Sequence, residues 1–122
     1  MKGFAVFDDV ASQSLQVALS GLAMRQRVTA NNIANIQTPN FRAGKVQFEN
    51  ALQSAIAHGT SPGTVRPTVA QSLEPTQLNG NNVNLDEETL SNVDTGLRYQ
   101  LALRAMDSKF GLISDVIKGG GA

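Results

Sequence analysis

The stretch Ala30-Asn31-Asn32-Ile33-Ala34-Asn35-Ile36-Gln37-Thr38-Pro39-Asn40-Phe41-Arg42-Ala43 sets the point that a helix entering from the N-terminal side cannot pass. The ring of Pro39 excludes an α conformation at Thr38, and its missing N–H denies the next turn a hydrogen bond. Asn31, Asn32 and Asn35 are poor choices for a lone exposed helix, because their side chains compete for backbone groups. They suit the end of a helix that is packed on something. Each amide offers donors and acceptors to a neighbouring backbone or to another subunit. Ile33 meanwhile keeps an apolar stripe going, and Phe41 stands ready as an anchor just past the turn.

Upstream of this stretch, the apolar spacing predicts a helix from about Asp8 to Ile36. Leu15, Leu19, Leu22, Ile33 and Ile36 share one stripe, which passes through the polar Gln26 and Thr29. Val10, Val17, Met24 and Val28 lie on an adjacent face. Such two-sided patterning marks an amphipathic helix, roughly 43 Å long at about 1.5 Å per residue. Asp8 and Asp9 are expected at its start, where carboxylates meet unpaired N–H groups and the positive dipole end.

Downstream, residues 40–84 form a turn-rich middle segment. Phe48, Leu52 and Ile56, with Ala51 and Ala55 beside them, predict one short helix over 46–57. Residues 59–80 are rich in Gly, Pro, Ser and Thr and read as an extended loop. Asn79-Gly80 has the chemistry of a two-residue hairpin turn, flanked by 76–78 and 81–83. A second long helix then begins at Leu85. Asn84 is its expected N-cap, with Glu87 at the position of a capping-box acid, and Asp86, Glu87 and Glu88 complement its dipole. Leu90, Val93 and Leu97 form one stripe along it. Tyr99, Leu103, Met106, Phe110, Ile113 and Ile117 form a second, offset one.

These patterns predict a mainly α chain. Its long N-terminal (1–39) and C-terminal (85–122) helices pair as an antiparallel coiled coil, packed through Leu15, Leu19 and Leu22 and the two stripes of the second helix. Val17, Met24, Val28 and Leu101 are expected to remain for neighbouring subunits.

Composition removes whole classes of function. The 122 residues contain ten Lys and Arg and ten Asp and Glu, for a formal charge of zero. A nucleic-acid binder would carry a basic excess or stripe. There is no cysteine and a single histidine, His58, so thiol chemistry is absent and a transition-metal site is not expected. The carboxylates of Asp86, Glu87 and Glu88 point in different directions on a helix and do not converge on one cation. No phosphate-binding loop, dinucleotide fingerprint or nucleophile elbow occurs, and neither catalytic residues nor cofactors are expected. The opening apolar run meets Asp8 and Asp9 after a few residues, too short for a signal core or a membrane span.

The motif Asn31-Asn32-Ile33-Ala34-Asn35-Ile36-Gln37-Thr38-Pro39-Asn40-Phe41-Arg42-Ala43 resembles the N-terminal signature of the bacterial flagellar axial proteins, the rod, hook and hook-associated family. Asn31, Asn32, Ile33, Asn35, Thr38, Pro39, Phe41 and Arg42 carry the likeness. In the second half, Gly80-Asn81-Asn82-Val83-Asn84-Leu85-Asp86-Glu87-Glu88, then Leu97-Arg98-Tyr99-Gln100, are similar to the short rod members. The resemblance implies a structural subunit of the periplasmic rod. It also implies export through the flagellar type III apparatus without cleavage, and polymerisation through the terminal helices around the export channel. Expected partners are identical copies, other rod proteins, and the adaptor and export-gate proteins at the rod's base, with no nucleic acid and no membrane insertion. Two alternatives are another short rod member and, in a different class, a cytoplasmic helical adaptor that forms a discrete complex.

Overall fold

The computed structural model describes the backbone of residues 2–120 and the side chains of residues 10–109. Its elements are α1 (Lys2–Ala34), β1 (Gly44–Gln47), α2 (Glu49–Ala57), a 3₁₀ turn at Pro62–Thr64, β2 (Thr68–Gln71) and α3 (Leu85–Gly120). The two long helices run antiparallel. Asn32 meets Glu88, Gln26 lies beside Gly96, and Leu15 and Ala18 share a groove wall with Ala102 and Ala105. The architecture is a helical hairpin, with the middle segment folded against its α1 side.

α1 begins at Lys2, not at Asp8. Nothing between Lys2 and Phe7 stops a helix, so Asp8 and Asp9 fall inside α1 and do not cap it. At its other end α1 stops at Ala34. Asn35, Ile36 and Gln37 continue as turns, so the chain leaves the helix before Pro39 would force it to. α3 starts as expected: Asn84 Oδ1 accepts from the N–H groups of Asp86 (3.0 Å) and Glu87 (3.2 Å). The reciprocal half of the capping box does not form, because the Glu87 carboxylate is turned to Lys45 Nζ at 3.8 Å.

The middle segment holds more order than its composition announces. α2 starts at Glu49, three residues later than the apolar spacing suggests, because Val46 belongs to β1. β1 pairs antiparallel with β2, Gly44 opposite Gln71 and Gln47 opposite Thr68. Asn79-Gly80 does make a tight turn, with Gly80 N–H donating to Gln77 O at 2.9 Å and Gln77 N–H to Asn81 O at 2.7 Å. Its flanks 76–78 and 81–83 are not strands. The strands of the sheet lie over twenty residues apart in sequence, a pairing that no local pattern can display.

The core is small. Val17, Leu22, Val46 and Phe48 are buried together, with Ala18, Met24, Val28, Leu52, Val65 and Tyr99 packed around them. Val17, Met24 and Val28 therefore face inward, where the sequence had reserved them for other subunits. They are covered by the middle segment, with Val46, Phe48 and Val65 among the residues packed on this face. The Phe48 ring lies directly on Gly21, where any Cβ would collide with it. Arg25 closes this corner: its guanidinium sits 5.2 Å from the Phe48 ring centroid. It also donates to Val46 O at 2.8 Å and to both Glu49 carboxylate oxygens at 2.7 Å. The hydrogen bonds from Arg25 hold the Glu49 carboxyl below its ordinary range, against a smaller opposing effect of burial.

Candidate assembly surfaces and the asparagine clasp

At the closed end of the hairpin, asparagine amides do the work that apolar contacts do elsewhere. Asn32 is 1% exposed. Its amide meets the Gly44 peptide on both sides, Nδ2 donating to Gly44 O (3.0 Å) and Oδ1 accepting Gly44 N–H (2.9 Å). Asn32 thus acts as a one-residue strand on the outer edge of β1. Its second N–H reaches the buried carboxylate of Glu88 at 3.1 Å, tying α1 to α3.

Asn82 performs the same substitution at the end of the sheet. Its Oδ1 accepts Ala43 N–H at 2.7 Å, and its Nδ2 donates to Ser72 O at 3.1 Å. Ser72 N–H donates to Ala43 O at 2.8 Å, so the Asn82 amide completes a rung that the two backbones alone leave half made. Asn81 is fully buried. Its Nδ2 donates to Asn35 O (2.9 Å) and Thr38 O (2.8 Å), and its Oδ1 accepts Val83 N–H (2.8 Å). Asn35 and Thr38 lie just past the end of α1, and Asn81 gives their carbonyls a second donor beside the N–H groups of Thr38 and Phe41. Asn40, at φ 64°, takes the left-handed conformation that asparagine tolerates, and its N–H donates to Asn79 O at 2.8 Å.

The signature residues divide by environment. Asn32 is buried; Ile33, Asn35 and Phe41 are half-buried; Asn31, Thr38, Pro39 and Arg42 are exposed. Asn35 Nδ2 donates to Asn31 O at 2.8 Å, and Thr38 Oγ1 donates to Asn35 Oδ1 at 3.0 Å. The motif therefore builds the clasp with one face and presents a polar surface with the other. Asn81, Asn82 and Glu88 complete the clasp. Sequence reasoning did not give them this role, although the dense Asn81-Asn82-Val83-Asn84 run was the available signal.

The stripes on α3 fall differently from the expected coiled-coil seam. Glu88, Ser91, Thr95, Tyr99, Ala102 and Met106 face α1, at steps of three and four. Thr95 is 1% exposed and Glu88 3%, so this face is polar near the clasp and becomes apolar only farther along. On the opposite side Leu90 (71% exposed), Val93 (57%) and Leu97 (65%) form an exposed ridge, which Leu101 (69%) continues to the rim of the groove between the helices, over roughly 17 Å. Leu15 and Leu19 are half-buried and Leu22 is buried in the hairpin. Leu103 is 40% exposed. Phe110, Ile113 and Ile117 lie outside the residues whose side chains are described. An open apolar groove also runs between the helices, with Leu15, Leu22, Phe48, Leu52 and Ala102 among its walls.

Nothing among the described residues forms a cluster that could hold a metal ion. No described helix is long and apolar enough to cross a membrane. His58 is exposed, with Nδ1 2.8 Å from Ser54 O.

Residues 13–42, which contain the first half of the clasp, match the family model described as flagella basal body rod protein. The chain is 35% identical over 120 residues to the flagellar basal body rod protein FlgB of Bacillus subtilis, an alignment covering 88% of this chain and 93% of that relative. It is 30% identical over 132 residues to FlgB of Escherichia coli (92% and 96% covered). It is 30% identical over 121 residues to FlgB of Borreliella burgdorferi (82% and 90% covered). The chain belongs to the FlgB family of flagellar basal body rod proteins. FlgB relatives match it over both helices and the middle segment, so the family assignment does not rest on the motif alone. The family is a structural one, and the described geometry is that of a building element: a clasped hairpin with an uncovered apolar ridge.

Proposed function

We propose that this chain is a subunit of the proximal part of the flagellar rod. It is exported through the flagellar type III apparatus and polymerises through its two long helices, which together form a coiled-coil layer around the export channel and carry torque. The observation that carries this reading is the ridge Leu90, Val93, Leu97 and Leu101. Four large apolar side chains in line on one helix face are costly to leave in water, and such a patch marks a contact surface. In a polar rod each subunit meets the next through unlike surfaces, which propagates without closing. Leu90, Val93 and Leu97 face away from α1, so the ridge takes a helix from a neighbouring rod subunit without opening the hairpin. Adaptor and export-gate proteins at the rod's base are the further partners of the same helices.

The test is a strain in which Leu90, Val93 and Leu97 are all replaced by Ser. The variant is expected to be made and exported but to leave basal bodies without a complete rod, so that swimming stops. Normal motility with the triple variant in purified basal bodies would remove the ridge from assembly. A protein that stays in the cytoplasm bound to one partner would favour the adaptor reading.

A further inference from the structure

The two edges of the small sheet are treated differently. On the outward side of β1, α1 engages three backbone groups: Gly44 N–H and C=O through Asn32, and Val46 O through Arg25. Ser72 and Ala43 bond inward, and bonding alternates along an antiparallel pair. In the observed register the N–H and C=O groups of Val69 and Gln71 therefore point to the far side of β2. No hydrogen bond among the described residues reaches them. Val69 beside them is 55% exposed and Leu73 93%. Bare edges of this kind pair with whatever strand is offered unless something specifies the partner.

We propose that the free edge of β2 pairs antiparallel with β2 of a second copy, Val69 opposite Gln71 and Ala70 opposite Ala70. This register uses all four outward groups on each strand. A register with Val69 opposite Val69 would set Gln71 against Pro67, which has no N–H to give. The chosen register also sets Arg66 opposite Glu74, twice by symmetry. Arg66 at present donates only to the nearby carbonyls Gly63 O and Val65 O, and the exposed Glu74 carboxylate makes no ion pair among the described residues. Val69 and Leu73 of the two copies become diagonal neighbours on one face, where such pairs interact. A two-fold pair is closed and cannot propagate. It is a property of the free subunit, released before the subunit joins the polar rod, and it stands independently of the ridge contact.

The full chain has no cysteine, which permits a direct test by single substitution. Ala70 faces Ala70 at a non-hydrogen-bonded position, with Cα atoms about 4.5 Å apart, inside the range a disulfide spans. Under mild oxidation, Ala70→Cys is expected to form a covalent dimer much faster than Val69→Cys, Thr68→Cys or Gln71→Cys. In sedimentation of the cysteine-free chain, Arg66→Glu and Glu74→Arg are each expected to weaken self-association by about fivefold. The double variant restores it. Both charged positions are exposed, so this arm does not depend on how Ala70→Cys folds. Equal oxidation rates at all four positions, faster dimer formation at Val69→Cys, or a double variant no better than the singles would overturn the proposal. So would a wild-type chain that stays monomeric across the concentration range.

Discussion

The clasp and the α3 ridge invert the usual arrangement of a globular domain. At the clasp, Asn32, Asn81, Thr95 and Glu88 are buried at 0–3% exposure, while on the ridge Leu90 and Leu97 stand at 71% and 65%. Polar groups are inside and large apolar groups outside. The difference separates two jobs. A buried amide specifies one geometry, because each donor and acceptor must find a partner at a set distance and angle. An exposed apolar ridge specifies little by itself, and its free energy is released only when another surface covers it. The closed end of the hairpin is shaped by amides, while the leucines of the α3 ridge are left exposed.

The sharpest way to break this contrast is to remove an amide from the clasp. Asn32→Ala leaves Gly44 N–H, Gly44 O and the Glu88 carboxylate without their partner. Loss of about 3 kcal/mol is expected, read by denaturant unfolding of the purified chain. Asn81→Asp should be comparably damaging, since a carboxylate would face the carbonyls of Asn35 and Thr38. If either variant unfolds at the wild-type midpoint, the clasp does not hold the closed end.

The apolar corner provides the comparison at intermediate size. Gly21→Ala forces the Phe48 ring off α1, and overpacking of this kind costs about 2 kcal/mol. The effect should show as a lower thermal midpoint with helical content retained.

Next in size is the pH response of the Arg25–Glu49 contact. The folded-state pKa of Glu49 is depressed, chiefly by the hydrogen bonds from Arg25. Its stabilisation is therefore complete above the unfolded-state value of about 4.3 and is lost as pH falls through the lower folded value. The wild-type chain should exceed Glu49→Gln in stability at neutral pH, and the gap should close in acid. A gap that widens below pH ~4 would reverse the assignment. Because the Glu49 side chain is 44% exposed, solvent screening keeps the effect small.

Smallest in the isolated chain is the ridge. Leu90→Ser, Val93→Ser and Leu97→Ser together are expected to change monomer stability by less than about 1 kcal/mol, despite removing three large apolar side chains. A much larger loss would mean that the ridge serves the fold, and the contrast with the clasp would fail.

How far the sequence could be read follows the same division. Both long helices, the break before Pro39 and the Asn84 cap were legible because each depends on residues within a turn or two of one another. The apolar stripes were legible as stripes, yet their direction was not. Val17, Met24 and Val28 turned inward and Leu90, Val93 and Leu97 outward. A stripe's partner is set by which surface reaches it first, and here β1 and α2 cover α1 while polar Thr95 and Glu88 take the seam of α3. The signature asparagines announced that amides matter without saying what they bind.

The amino-acid order by itself determined two long amphipathic helices, a turn-rich segment between them, the absence of the cysteine that thiol chemistry requires, and the likeness to flagellar rod proteins. All of these are written in local spacing or in residue identity. Tertiary structure alone decided that residues 44–47 pair with 68–71, that Asn32 and Asn82 stand in for strands, and that the outer edge of β2 meets no hydrogen-bond partner among the described residues. The pairings among them join groups 10 to 39 residues apart. Their free energy comes from desolvated hydrogen bonds that exist only once the chain has closed on itself.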